Sequence, residues 1–295
     1  MSDSNLNLFC FGLGYCALRL IKSLDITRWS HTGTKQKTYP NIITFNENQP
    51  LLKPELLLKS ITHLLISIPP KPCLGDIVLL HHKNDFPKMK KLQWIGYLST
   101  TGVYGNTKGE LVTESSKPKP TSERSQRRLK AEKDWMLFAK KHSLPLHIFR
   151  LPGIYGPNRS VIDQLNKGTA HRIVKKNHRF SRIHVDDICQ ILIASMKNPN
   201  FGDIYNVCDD VPAAPEEVVN FAANLMGIKA PPRIPFSKAK LNMSQMALSF
   251  WNDNRIVDNS ATKKILGITL KYPSYQEGLT AIYKDQPDPI IKPNY

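Results

Sequence analysis

Apolar and polar positions change period repeatedly over the first half of the chain. Residues 6–11 form a compact apolar run that stops at a glycine, and residues 15–24 then space apolar side chains at helical intervals. Further strand-like runs lie at 41–45, 62–68, 92–98 and 145–149. Helix-like stretches separate them at 54–59, 75–82 and, longest, 121–141. Strand–helix alternation of this kind predicts an α/β fold, a parallel sheet with helices on both faces. Beyond residue 150 the pattern loosens, prolines become frequent, and 213–226 is the clearest helix.

Between the first run and the first helix stands Phe11-Gly12-Leu13-Gly14-Tyr15-Cys16-Ala17. A glycine turn in this setting is the fingerprint of a dinucleotide site in a Rossmann-type sheet. Gly12 permits the tight turn, Gly14 lets the backbone approach a pyrophosphate, and Ala17 allows close helix–strand packing. The helix start, with Leu13, Tyr15 and Cys16 beside it, would present N–H groups and partial positive charge to the phosphates. NAD-binding versions carry an acid about 20 residues on for the ribose 2′-OH. Residues 29–37, read as following the second strand, contain none. Thr34 offers a hydroxyl and Lys35 a charge, which suits a 2′-phosphate, so NADP is expected in preference to NAD. Residues 1–150 then form the NAD(P)-binding domain. Residues 151–295 supply the last sheet strands and a smaller C-terminal substrate lobe with a proline-rich tail.

Composition narrows the setting. A hydrophobic share of 41% fits a globular chain, and no apolar run is long enough to span a bilayer. Five cysteines without a CxxC pair suggest reduced thiols in a cytoplasmic protein and no metal site. The formal charge of +17 is spread along the chain, as on a lysine-rich solvated surface, and no nucleic-acid-binding motif accompanies it. A specific nucleic-acid partner and a membrane are therefore not expected. A small, anionic molecule is, and a homodimer is left open.

From residue 98 onward the chain resembles an extended short-chain dehydrogenase/reductase. The segments that carry the likeness are Leu98-Ser99-Thr100-Thr101-Gly102-Val103-Tyr104-Gly105, Phe149-Arg150-Leu151-Pro152-Gly153-Ile154-Tyr155-Gly156-Pro157, Arg182-Ile183-His184-Val185-Asp186-Asp187 and Tyr205-Asn206-Val207. The far C-terminal part, from Asn254-Arg255-Ile256 to Glu277-Gly278-Leu279, is similar to the YeeZ-like branch of atypical NAD(P)-dependent epimerase/dehydratase proteins. The resemblance implies that Ser67, Ile68, Pro69, Pro152 and Gly153 line the cofactor. It also implies a catalytic Ser or Thr, met here by Thr100, and a Tyr-x-x-x-Lys pair on a helix. Residues 121–132 contain no tyrosine, and Arg124 and Arg128 stand at the positions of the pair. Arginine does not readily release a proton. A literal Tyr-x-x-x-Lys runs from Tyr104 to Lys108, but Gly105-Asn106 is turn chemistry that would spoil a shared helical face. Tyr104 is kept as a second catalytic candidate. His184-Val185-Asp186-Asp187 reads as a helix start with carboxylate capping. Arg128, Arg159 and Arg182 are expected to meet an anionic, sugar-like or nucleotide-linked substrate. Two functions follow: an oxidoreductase or epimerase, or a catalytically silent NADP-binding sensor or regulatory protein.

Overall fold

The computed structural model describes residues 6–197 and 204–285. Along the first half run β1 (Leu6–Phe11), α1 (Tyr15–Ser23), β2 (Trp29–Lys35), β3 (Ile43–Thr44), α2 (Pro54–Leu57), β4 (His63–Ile66), α3 (Ile77–His82), β5 (Trp94–Thr100), β6 (Leu111–Val112), α4 (Glu123–His142) and β7 (Leu146–Leu151). The second half adds β8 (Gly153–Tyr155), α5 (Val161–Asn166), β9 (Arg172–Val174), β10 (Arg182–His184), α6 (Val185–Lys197), β11 (Ile204–Asn206) and α7 (Pro215–Leu225). It ends with β12 (Arg233–Pro235), α8 (Phe236–Ala239), α9 (Gln245–Asn252), β13 (Ile256–Val257), α10 (Ser260–Leu266) and α11 (Tyr275–Lys284).

Seven strands form one sheet in the order β11-β7-β5-β4-β1-β2-β3, and each pairing within it is parallel. Strands buried on both faces need apolar side chains at consecutive positions, which is why β1 and β4 read as continuous apolar runs. Leu8 and Cys10 of β1 pack on one side with α1 and α6, while Phe9 and Phe11 pack on the other with Phe45, Ile77 and Phe86. The chain leaves β1 toward β2 on one side and reaches β4 on the other. The strand order therefore reverses between β1 and β4, and a crevice opens beyond their C-terminal ends, where ligands of such sheets bind.

The second strand was not legible as one. Trp29–Lys35 is β2 itself and not the segment that follows the second strand. Its sequence, WSHTGTK, lacks an apolar run because only Gly33 and Thr34 are fully covered. The run expected at 41–45 shrinks to the two residues of β3. The anticipated boundary at 150 falls inside β7, and the second half returns β11, α6 and α10 to the sheet. The smaller lobe has its own apolar cluster of Tyr155, Ile162, Val218, Ala222, Tyr275 and Leu279. Residues 286–295, most of the expected proline-rich tail, lie outside the described residues. Among the described residues no helix is long and apolar enough to cross a membrane.

Candidate active site

The glycine turn sits at the reversal point and is braced from two neighbouring strands. Gly12 N–H donates to Thr34 Oγ1 at 3.0 Å, and Leu13 N–H donates to Thr34 O at 2.8 Å. From the other side Ser67 Oγ donates to Gly12 O at 2.6 Å and to Phe11 O at 3.1 Å. Gly12 has φ +98°, and a Cβ there would stand 2.7 Å from Ser67 Oγ and 3.0 Å from Ile68 Cγ1. Only glycine fits. Gly14 differs, because a Cβ there would meet nothing within 4 Å. Gly14 is also the N-cap of α1, and no side chain caps that end. Open space over uncapped N–H groups is what a pyrophosphate requires, so the residues fit a dinucleotide.

Two expectations change here. Thr34 is wholly buried and its oxygen is engaged by Gly12, so it shapes the turn instead of meeting a 2′-phosphate. Leu13 uses its N–H on Thr34 and packs its side chain toward Gly33, so it offers no donor to a phosphate. Lys35 ends β2 with its ammonium 4.4 Å from the centre of the Tyr39 ring. Ile68 packs beside Gly12, and Pro69 is exposed.

A cleft of about 320 Å³ runs from Gly14, Tyr15, Cys16 and Ala17 past Ser67 to Thr100, with Pro152 and Gly153 in its wall. Burial pushes the Cys16 thiol up to about 11, so it is protonated at neutral pH. Thr100 ends β5, and its Oγ1 accepts from Gly102 N–H at 3.1 Å, which leaves the O–H free to donate. Tyr104, the other catalytic candidate, is sealed away from the cleft at 2% exposure. Its hydroxyl donates to Asn206 Oδ1 at 2.7 Å and accepts from Arg150 Nη1 at 2.9 Å. Burial raises its pKa, and Lys108 lies exposed in the following turn at φ +59°. The literal Tyr-x-x-x-Lys is therefore not an acid/base pair. Tyr104 belongs to a buried network in which Arg150 pairs with Glu132 at 2.8 Å and Ser99 Oγ donates to Glu132.

Helix α4 presents Ser122, Arg124, Ser125 and Arg128 to the cleft, with Ser122 Oγ as its N-cap. Arg124 and Arg128 are one helical turn apart and share a face. Arg128 is buried, and its Nη1 donates to Tyr97 OH at 3.1 Å and to Leu98 O at 3.0 Å. Burial, then the like charges of Arg128 and Arg127, lower the pKa of Arg124. Arg159 stacks over Tyr15, 5.4 Å from the ring centre, and lines the same cleft. Arg182 instead lines two adjoining recesses, with Nη1 donating to Phe180 O and Ala213 O at 2.8 and 2.9 Å. One of these recesses is also lined by Thr100, Pro152, Gly153 and Arg255, so it adjoins the cleft at that end.

The fourth wall comes from residues not expected at the site, although Arg255 lies in a segment that carries the family resemblance. Phe250, Asp253 and Arg255 line the cleft. Arg255 Nη1 donates to Asp253 Oδ2 at 2.9 Å and to Gly105 O at 2.8 Å. Trp251, stacked between Phe236 and His178 at 5.3 and 5.5 Å, anchors α9. The His184-Val185-Asp186-Asp187 segment does start a helix, but its carboxylates act as cross-ties. Asp186 pairs with Arg19 of α1 at 2.5 Å, and Asp187 accepts N–H bonds from Lys271 and Tyr272 at 2.6 and 3.1 Å.

The model of the NAD dependent epimerase/dehydratase family matches residues 88–208. A solved structure described as a functionally unknown conserved protein from Silicibacter pomeroyi DSS is 39% identical, with a TM-score of 0.83. That match covers 95% of this chain and 98% of the other. Over residues 88–208 the chain is thus similar to the NAD dependent epimerase/dehydratase family. Two more distant structures share its fold. One is dTDP-glucose 4,6-dehydratase from Bacillus anthracis str. Ames in complex with NAD, at 16% identity, TM-score 0.75, covering 95% of this chain and 96% of that one. The other is UDP-glucuronic acid 4-epimerase from Bacillus cereus in complex with NAD, at 16% identity, TM-score 0.74, covering 95% and 98%. Among curated proteins there is no match.

Proposed function

We propose that the protein binds a nicotinamide dinucleotide, NADP(H) in preference to NAD(H), and holds an anionic, sugar-like or nucleotide-linked ligand against it without tyrosine-dependent proton transfer. The observation that carries this reading is the pair Arg124 and Arg128, which lines the cleft of Thr100 where the family's acid/base pair belongs. A guanidinium binds anions and does not shuttle protons at neutral pH. The cofactor half rests on the braced turn at Gly12, the open space at Gly14 and the uncapped start of α1. When bound there, a nicotinamide dinucleotide supplies hydride chemistry. This chain's own groups orient it: Ser67 and Thr34 hold the turn, and Thr100 offers a hydroxyl. The choice of NADP is supported by the end of β2, where Lys35, Gln36 and Lys37 stand without a carboxylate. The segment from Asn254 to Leu279 supports a place in the YeeZ-like branch, and the scattered free thiols support a reducing, cytoplasmic setting.

A second reading, an active oxidoreductase or epimerase, is favoured by the Thr100 hydroxyl in the cleft. Purified protein incubated with NADPH and a panel of nucleotide sugars separates the two. Tight cofactor binding with no consumption of NADPH and no altered sugar supports the binding reading. Turnover that survives Tyr104→Phe and is lost in Thr100→Val replaces it with the second.

A further inference from the structure

The charge balance of the cleft is uneven. Its lining holds four guanidiniums, Arg124, Arg128, Arg159 and Arg255, and one carboxylate, Asp253. Asp253 is already engaged by Arg255 at 2.9 Å and by the Thr121 hydroxyl at 2.6 Å. Among the described residues no acid pairs with Arg124, Arg128 or Arg159. An acid does stand in the first turn of α4, but Glu123 is turned outward and pairs with Arg127 at 3.3 Å. Like charges gathered in a concave site raise each other's energy and concentrate a positive field, which an incoming anion relieves. Burial first, and then the neighbouring charges of Arg128 and Arg127, lower the pKa of Arg124.

We infer that Arg124 and Arg128 form an oxyanion subsite beside Thr100, and that the ligand presents a phosphate group to this end of the cleft. The inference rests on the proposed reading and deepens it. The anionic group is placed at the α4 residues of the cleft, and not at the start of α1. Four features favour a tetrahedral dianion. The two side chains project from one face of α4 at a spacing of four residues, so their forks can bind separate oxygens. Ser122 and Ser125 stand beside them in the lining, and Ser122 Oγ donates to Ser125 Oγ at 3.0 Å. Arg128 is fixed from behind by Tyr97 OH and Leu98 O, both bonded through Nη1, which pre-orients its remaining donors. The start of a 20-residue helix adds partial positive charge on the same side.

Calorimetric titration with inorganic phosphate, on the free protein and on protein saturated with NADPH, tests the subsite. Phosphate should bind both forms and bind more tightly than acetate or malonate. Arg124→Gln should weaken phosphate by about tenfold or more, as loss of a charge-assisted fork implies, while NADPH affinity stays within about twofold. Arg124→Lys, which keeps the charge and loses the fork, should lie between. Arg128 is buried, so Arg124 and the exposed Arg159 carry the test without risk to folding. Equal phosphate affinity in wild type and Arg124→Gln overturns the subsite, as does a loss confined to Arg159→Gln. Tighter malonate than phosphate overturns the assignment to a phosphate group. Failure of NADPH to bind would instead count against the cofactor reading, and the free protein would still report on the arginines.

Discussion

Replacing Thr34 by valine keeps the β-branched shape and removes the acceptor for Gly12 N–H. Thr34 is wholly buried, so no water can take the oxygen's place, and the 3.0 Å bond is lost outright. Leaving a partly buried donor unpaired costs about 1–2 kcal/mol. For a chain of this size that corresponds to a fall in Tm of roughly 2–6 °C. The damage is local to the turn, because the Leu13 N–H bond to Thr34 O is a backbone bond and survives. A loosened turn misplaces the start of α1 for any dinucleotide. NADPH and NADH should therefore both weaken, by a common factor of about three to ten, which a loss of roughly 1 kcal/mol produces. Fluorescence titration of both cofactors against wild type and Thr34→Val gives the answer. A variant that loses NADPH affinity and keeps NADH affinity would refute the reasoning, since Thr34 would then be touching a 2′-phosphate.

Lys35→Asp should act in the opposite manner, weakening NADPH and sparing or improving NADH, with little change in Tm. Equal loss of both cofactors would remove Lys35 from the ribose end of the site. Tyr104→Phe deletes the donor to Asn206 and the acceptor for Arg150, so thermal unfolding should show a loss of about 1–3 kcal/mol, with NADPH affinity unchanged. An unchanged Tm would mean the buried network is not cooperative. His178 is buried, and that burial, with Lys175 and Arg255 nearby, depresses its pKa to about 4. The unfolded chain then takes up a proton first as pH falls, so stability is intact above about pH 6.5 and declines toward pH 4, by up to about 3 kcal/mol from this one group. His178→Phe keeps the ring on Trp251 and should flatten part of the decline in Tm over that window. An identical slope in the variant would show that His178 titrates normally.

The parts legible in the sequence were those with local signals. The apolar run of β1, the glycines and the helical spacing of α1 follow one another directly between Leu6 and Ser23, and each has a direct physical reading. The long α4 was equally plain, and the absence of tyrosine from it pointed to Arg124 and Arg128 in advance. β2 escaped because a strand near the edge of the sheet needs few apolar side chains, and Thr34 passed for a loop residue when it is a buried brace. The role of Tyr104 depended on Arg150 and Asn206, which fold beneath it from distant strands. Phe250, Asp253 and Arg255 reach the cleft from more than a hundred residues beyond Thr100, and β13 brings them there by pairing with β6. No pattern local to them announces that position.

The central claim, that a dinucleotide lies over the start of α1, is tested most directly at Gly14. Its backbone is extended at φ −91° and ψ −170°, which any residue adopts, and a Cβ there meets no protein atom within 4 Å. Gly14→Val therefore projects its side chain, from a Cβ that meets no atom of the fold, into the space a pyrophosphate would take. NADPH titration of Gly14→Val should show affinity lowered by at least about a hundredfold, roughly 3 kcal/mol, while unfolding free energy stays within about 1 kcal/mol of wild type. A folded Gly14→Val protein that binds NADPH as tightly as wild type would contradict the account.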